Sequence, residues 1–106
     1  MKYTFSGYEI NIIRHLHRHK YYGGKHTSID NLKKGVNRDR GNFTDEAIKS
    51  LISKQIIIVQ RKTKETHVSL NTSKVNIIRK VMSWYASNIV NIEREVFLSN
   101  FYEFEE

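Results

Sequence analysis

The stretch from His26 to Asn71 changes its apolar period from helical to alternating, and this switch constrains the fold more than any other feature of the chain. Ser28 can cap a helix in which Ile29, Leu32 and Val36 fall on one side at i, i+3 and i+7. Gly35 loosens the end of that helix, and Asn37-Arg38-Asp39-Arg40-Gly41-Asn42 has the chemistry of a turn. A second helix follows in which Phe43, Ala47 and Leu51 share a face, with Ile48 and Ile52 beside them. Beyond it, Gln55 to Gln60 is too rich in β-branched residues to prefer helix. Arg61-Lys62-Thr63-Lys64-Glu65 then reads as a charged turn, and Thr66-His67-Val68-Ser69-Leu70 alternates as a strand should.

Helix, turn, helix, strand, turn, strand is the order of a winged helix-turn-helix. The expected class is therefore α+β, mainly α, with a two-stranded wing, and the second helix of the pair is the candidate reader. Upstream, Thr4 or Ser6 opens a first helix that runs to about His19. Tyr8, Ile12, Ile13 and Leu16 form its core-facing stripe, and Glu9 sits favourably in its first turn. Tyr21-Tyr22-Gly23-Gly24 ends this helix, and Lys25-His26-Thr27 can contribute a short strand or an extended lead into the next. The glycine pair is a breaker, because the wider spacing and lysine-serine ending of a phosphate loop are missing.

Past Leu70 the segment Asn71-Thr72-Ser73 supplies a cap. Val75, Ile78, Met82, Tyr85, Ile89, Ile92 and Val96 then follow at alternating steps of three and four, the heptad seam of a helix packed along another helix. Residues 1–72 are thus expected to form the winged domain, and residues 73–106 a long C-terminal helical extension with an acidic, aromatic end from Phe97 to Glu106. A continuous helix of that length outruns its own domain, so the seven seam residues are expected to form a homodimer interface. The alternative is a break at Asn88 and Asn91 that lets the second half fold back over the first helix.

The 106 residues suit one domain with one modest core. No window approaches the ~20 apolar residues of a membrane helix, and Met1-Lys2-Tyr3-Thr4-Phe5 lacks the apolar centre of a signal peptide. The expectation is a cytoplasmic protein with no membrane partner. The absence of cysteine excludes disulfides, thiolate zinc sites and cysteine nucleophiles. Net charge is +7 and unevenly distributed: residues 1–80 carry 17 Lys/Arg against 6 Asp/Glu, a net +11, whereas residues 81–106 carry 1 against 5, a net −4. So basic a region attracts polyanions, of which nucleic acid is the commonest in a cell.

Gly24-Lys25-His26-Thr27-Ser28-Ile29-Asp30-Asn31-Leu32 and Val68-Ser69-Leu70-Asn71 resemble segments of small archaeal winged-helix proteins, over roughly residues 8–71. The chain departs from that pattern in having no glycine in the wing turn and no proline after Asn71. The resemblance implies the winged-helix fold and, by analogy of fold, DNA binding.

Lys33, Lys34, Arg38 and Arg40 around the turn, together with Arg61, Lys62 and Lys64 in the wing, are the candidate phosphate contacts on double-stranded DNA. Asn42, Thr44, Lys49, Ser50 and Ser53 are the candidate base contacts, the asparagine being able to pair bidentately with adenine. Asp45 and Glu46 in the first turn suit the helix dipole but repel phosphate, so the grip is expected from the arginines and the wing. His15 and His19 have a metal-ligand spacing but no accompanying carboxylate, so a basic helix face is the expected reading and no metal or other cofactor is required. His26 beside Thr27, Ser28 and Asp30 looks like helix capping, with no oxyanion or nucleotide loop to make it catalytic. The expected function is sequence-specific duplex DNA binding by a non-enzymatic transcriptional regulator. A winged-helix module that assembles with RNA or protein is the competing expectation.

Overall fold

The computed structural model describes residues 1–36, 41–62 and 64–106, and of Gly41 and Asn42 the backbone alone. Within them the order is β1 (Lys2–Ser6), α1 (Gly7–Arg18), β2 (Thr27–Ser28), α2 (Ile29–Val36), α3 (Gly41–Ser53), β3 (Ile57–Arg61), β4 (Thr66–Leu70), α4 (Val75–Asn88), α5 (Arg94–Ser99) and β5 (Phe101–Glu105). Short 3-10 turns occupy Thr72–Lys74 and Ile89–Asn91. The class is α+β, with two small antiparallel sheets among the described residues.

Local chemistry sets most of the helix ends. Ser6 Oγ accepts the Glu9 N–H at 3.1 Å while Glu9 Oε1 accepts the Ser6 N–H at 2.9 Å, a reciprocal capping box that starts α1. At the other end Lys20 adopts a left-handed φ of 59°. Its N–H reaches His17 O at 3.0 Å, and the Tyr21 N–H reaches Leu16 O at 2.9 Å, completing a Schellman motif. The end of α3 repeats this on Gln55, with a φ of 62°, Gln55 N to Ile52 O at 3.0 Å and Ile56 N to Leu51 O at 3.0 Å. Ser28 caps α2 as expected, its Oγ accepting the Asn31 N–H at 3.1 Å. Gly35 stands next to last in that helix. It lies within α2, where the His15 ring packs so closely that a Cβ would come within 2.3 Å of it.

The sheet of β2, β4 and β3 has β4 at its centre, with Val59 opposite Val68 and Thr27 opposite Val68 on the other edge. Val68, Ser69 and Leu70 are buried there. Ser69 Oγ and Gln60 Nε2 both donate to Gly23 O, at 2.9 and 3.2 Å, which fastens the glycine-rich connection onto the strand. The second sheet pairs β1 with β5, from Lys2 opposite Glu105 to Ser6 opposite Phe101.

This terminal sheet changes the reading of the C-terminal region. The helix expected to run from Val75 to Val96 stops at Asn88, whose Nδ2 donates to Trp84 O at 2.8 Å. Ile92 is extended, and a new helix begins at Arg94 with Glu93 Oε1 accepting the Glu95 N–H at 3.1 Å. The chain thus doubles back, the alternative weighed for Asn88 and Asn91. α5 passes so close to α1 that a Cβ on Gly7 would lie 1.9 Å from Phe97 O.

The expected dimer seam is therefore largely covered from within. Ile78 is buried, while Val75, Met82, Tyr85, Ile89 and Ile92 are partly buried and Val96 is 48% exposed. Tyr85 meets Phe97 edge-on at 5.7 Å and carries the Arg14 guanidinium over its ring at 5.1 Å. The uncovered stripe that argued for a homodimer is absent, and Ile77 and Val81, which lie off the seam, are fully buried. The division at residue 72 separates elements rather than cores: Phe5, Ile13, Leu32, Leu51, Leu70, Ile78 and Leu98 belong to one apolar cluster. Among the described residues no helix is long and apolar enough to cross a membrane.

Candidate nucleic-acid interface

α3 is buried along Thr44, Ala47, Ile48 and Leu51. That phase turns Phe43 off the core face on which it was expected, leaving it 56% exposed and stacked on Tyr8 at 5.1 Å. It also puts Glu46, Lys49 and Ser53 on the outward side, the last two one helical turn apart.

The helix is fixed by a buried charge. Glu9, 3% exposed, accepts Ser50 Oγ at 3.0 Å and Lys54 Nζ at 2.7 Å on its Oε2. Lys54 Nζ also donates to Thr4 O at 2.6 Å and lies 5.1 Å from the centre of the Phe5 ring. A carboxylate taken out of water needs such partners, since removing one of a buried pair costs about 3–5 kcal/mol. This network joins α1, α3 and β1, and the sequence carries a signal for part of it in the Ser6-to-Glu9 capping-box spacing.

These contacts sort the candidate base contacts. Lys49 and Ser53 are exposed. Thr44 is 3% exposed and faces inward, and Ser50 is committed to Glu9, so neither has a free hydroxyl for a base edge. The side chain of Asn42, and Arg38 and Arg40 entirely, lie outside the described residues.

Among the phosphate candidates, Lys34 on α2 and Arg61, Lys62 and Lys64 on the hairpin are exposed. The Lys62 N–H donates to Glu65 O at 2.8 Å and closes the turn that displays them. Lys33 instead pairs with Asp45 at 2.8 Å; the hydrogen bond to that carboxylate holds its ammonium above the usual lysine range, and the pair ties α2 to α3. A shallow cleft of about 250 Å³ between Ser28, Ile29 and Asp30 on one side and Lys64, Glu65 and Thr66 on the other sets the hairpin end beside the start of α2.

The histidine rings pack against one another and against tyrosines. His15 and His19 have ring centres 4.5 Å apart, and burial, followed by the charges of His19, Arg18 and Arg14, lowers the His15 pKa. His26 Nδ1 meets His67 Nδ1 at 2.8 Å, and His67 Nε2 meets Glu65 Oε2 at 3.0 Å, a chain of contacts that links the lead into β2 with β4. Desolvation, then the charges of Lys62 and His67, lowers the His26 pKa. Among the described residues no group of three or more His, Asp or Glu side chains converges as a metal site.

No family model, curated protein or solved structure matches the chain.

Proposed function

We propose that the chain is a winged helix-turn-helix protein that binds double-stranded DNA sequence-specifically as a transcriptional regulator. One observation carries this reading. α3 keeps an outward polar side bearing Lys49 and Ser53, while a hairpin packed on the same core displays Arg61, Lys62 and Lys64 on an exposed turn. The strand order β2, β4, β3, with the β3–β4 hairpin directly after α3, supports the fold, and the net +11 of residues 1–80 supports a polyanionic partner. The hairpin and Lys34 supply the phosphate grip, and Lys49 and Ser53 the base contacts, since phosphate contacts position and base contacts specify. No covalent chemistry is asked of any residue.

The test begins by selecting bound duplexes from a random pool. Lys49→Ala with Ser53→Ala should change which sequence is selected by about 1–3 kcal/mol of discrimination at one or two positions, with little change in non-specific affinity. A uniform loss over all sequences would move recognition away from α3. The exposed Glu46 favours a second reading, an assembly module for RNA or protein, because its charge opposes close approach of a duplex to α3. Binding to structured RNA with no response to duplex DNA at low salt would select that reading.

A further inference from the structure

A cleft of about 520 Å³ lies beside α3. It is walled by Tyr8 and Glu9 of α1, by Phe43, Glu46, Ala47 and Ser50 of α3, and by Leu98 and Phe101 near the C-terminus. Its volume falls in the roughly 300–1,000 Å³ range of small-molecule sites. In a chain of net charge +7, the described residues lining it include two carboxylates and no Lys, Arg or His. Its walls also hold two of the large apolar side chains most open to solvent, Phe43 at 56% and Phe101 at 70%.

Those features specify a ligand. The Tyr8 and Phe43 rings are parallel to within 7°, so a third planar ring can extend their stack, which aromatic groups favour in offset geometry. Ring faces attract cations, and the attraction grows as water is excluded. The Glu9 carboxylate is already occupied by Ser6, Ser50 and Lys54, whose ammonium offsets its charge, so it is not the group that meets a ligand cation. Glu46 is exposed at the rim and can reach an incoming ammonium. We propose that this cleft between α1, α3 and Phe101 is a binding site for a small planar aromatic ligand that carries an ammonium group. The site does not depend on what α3 recognises, although four of the residues that line it belong to that helix.

Tryptamine, an indole with an ammonium arm, is a suitable probe, and indole-3-acetate offers the same ring with the opposite charge. Each would be titrated into the full chain while backbone amide shifts are followed by NMR. Tryptamine should produce saturable shifts centred on Phe43, Ala47 and Phe101, and indole-3-acetate should bind at least about tenfold more weakly. Glu46→Gln, on an exposed residue whose loss leaves the core untouched, should erase most of that difference. Phe101→Ala should weaken tryptamine about tenfold, and a folded spectrum of each variant in the absence of probe keeps the comparison valid. Absence of saturation by about 5 mM, equal affinity for amine and acid, or shifts centred elsewhere would overturn the proposal. So would a concentration-dependent dimer whose contacts fill the cleft without any probe.

Discussion

The β3–β4 hairpin and the β1–β5 pair each run five residues in antiparallel register, but they are held by different means. The hairpin is closed by the Lys62–Glu65 turn, so its strands meet at little entropic cost and its end is left carrying exposed charge. The terminal pair brings together the first and last strands of the chain. Closing so long a loop costs about 3 kcal/mol more than closing the hairpin turn, on the logarithmic dependence of loop entropy on length. Aromatic packing offsets that cost: Phe5 lies 6.0 Å from Phe104, and Trp84 lies 4.6 Å from Tyr102 and 5.8 Å edge-on from Phe104. The difference teaches which sheet is free to act on a partner. The terminal pair turns Tyr3, Phe5 and Phe104 into the closure, whereas the hairpin buries Val68 and Leu70 of its strands and leaves the charged side chains of its turn in solvent.

Breaking the terminal closure should have the largest effect. Phe5→Ala removes a fully buried ring and should cost about 4 kcal/mol in urea denaturation, whereas Arg61→Ala on the hairpin should stay within about 0.5 kcal/mol. Gly7→Ala attacks the same closure from α1, because its methyl would meet Phe97 O of α5. It should cost about 3 kcal/mol even though alanine favours helices. Comparable losses at Phe5 and Arg61 would end the distinction between the two sheets.

Acid should separate them in the other direction. His15 and His26 both have pKa values lowered by burial and neighbouring positive charge, and both pack beside α2 or β4 rather than on the terminal sheet. The unfolded chain therefore takes up protons first as pH falls. The stability they permit is complete above about pH 6.5 and is lost as pH drops through 6.5 toward the folded values. Amide exchange between about pH 7.5 and 5.5 should show β4 losing more protection than β1, and His15→Gln should reduce that loss. Equal loss in both sheets would contradict the assignment.

The smallest effect concerns the two helix ends that share a conformation without sharing the usual residue. Lys20→Gly and Gln55→Gly should each raise stability by about 0.5–1 kcal/mol, because both positions have left-handed φ values that L side chains resist. A loss at either site would show that its side chain outweighs the backbone strain.

These helix ends also show what the sequence makes legible. Ser28 as a cap and Thr66–Leu70 as a strand could be read locally, because capping chemistry and period-2 alternation are local rules. The end of α1 near His19 could be read from the breaker that follows it, but the left-handed turns at Lys20 and Gln55 could not, since neither residue is glycine. Nor was the terminal sheet foreseen. Tyr3 and Phe5 alternate with polar residues as Tyr102 and Phe104 do, but five-residue patterns at opposite ends acquire meaning only when paired. The heptad seam misled for a related reason: Ile78 and Met82 pack within the domain as a seam would pack on a partner, and spacing does not say whose surface they meet. At the candidate interface Lys49, Ser53 and the hairpin bases lie outward as the pattern implied. Thr44 and Ser50 do not, because burial and the Glu9 network claim them.

The most direct measurement of the central claim is the salt dependence of duplex DNA binding by the parent and by an Arg61→Glu, Lys62→Glu, Lys64→Glu variant. If the hairpin grips phosphate, the parent's affinity should fall linearly with the logarithm of salt concentration. The variant should bind far more weakly and lose about 0.9 from the slope for each contact removed, about 2.7 in all, with an unchanged unfolding midpoint. A folded variant that binds duplex DNA as tightly as the parent, with the same slope, would contradict the account.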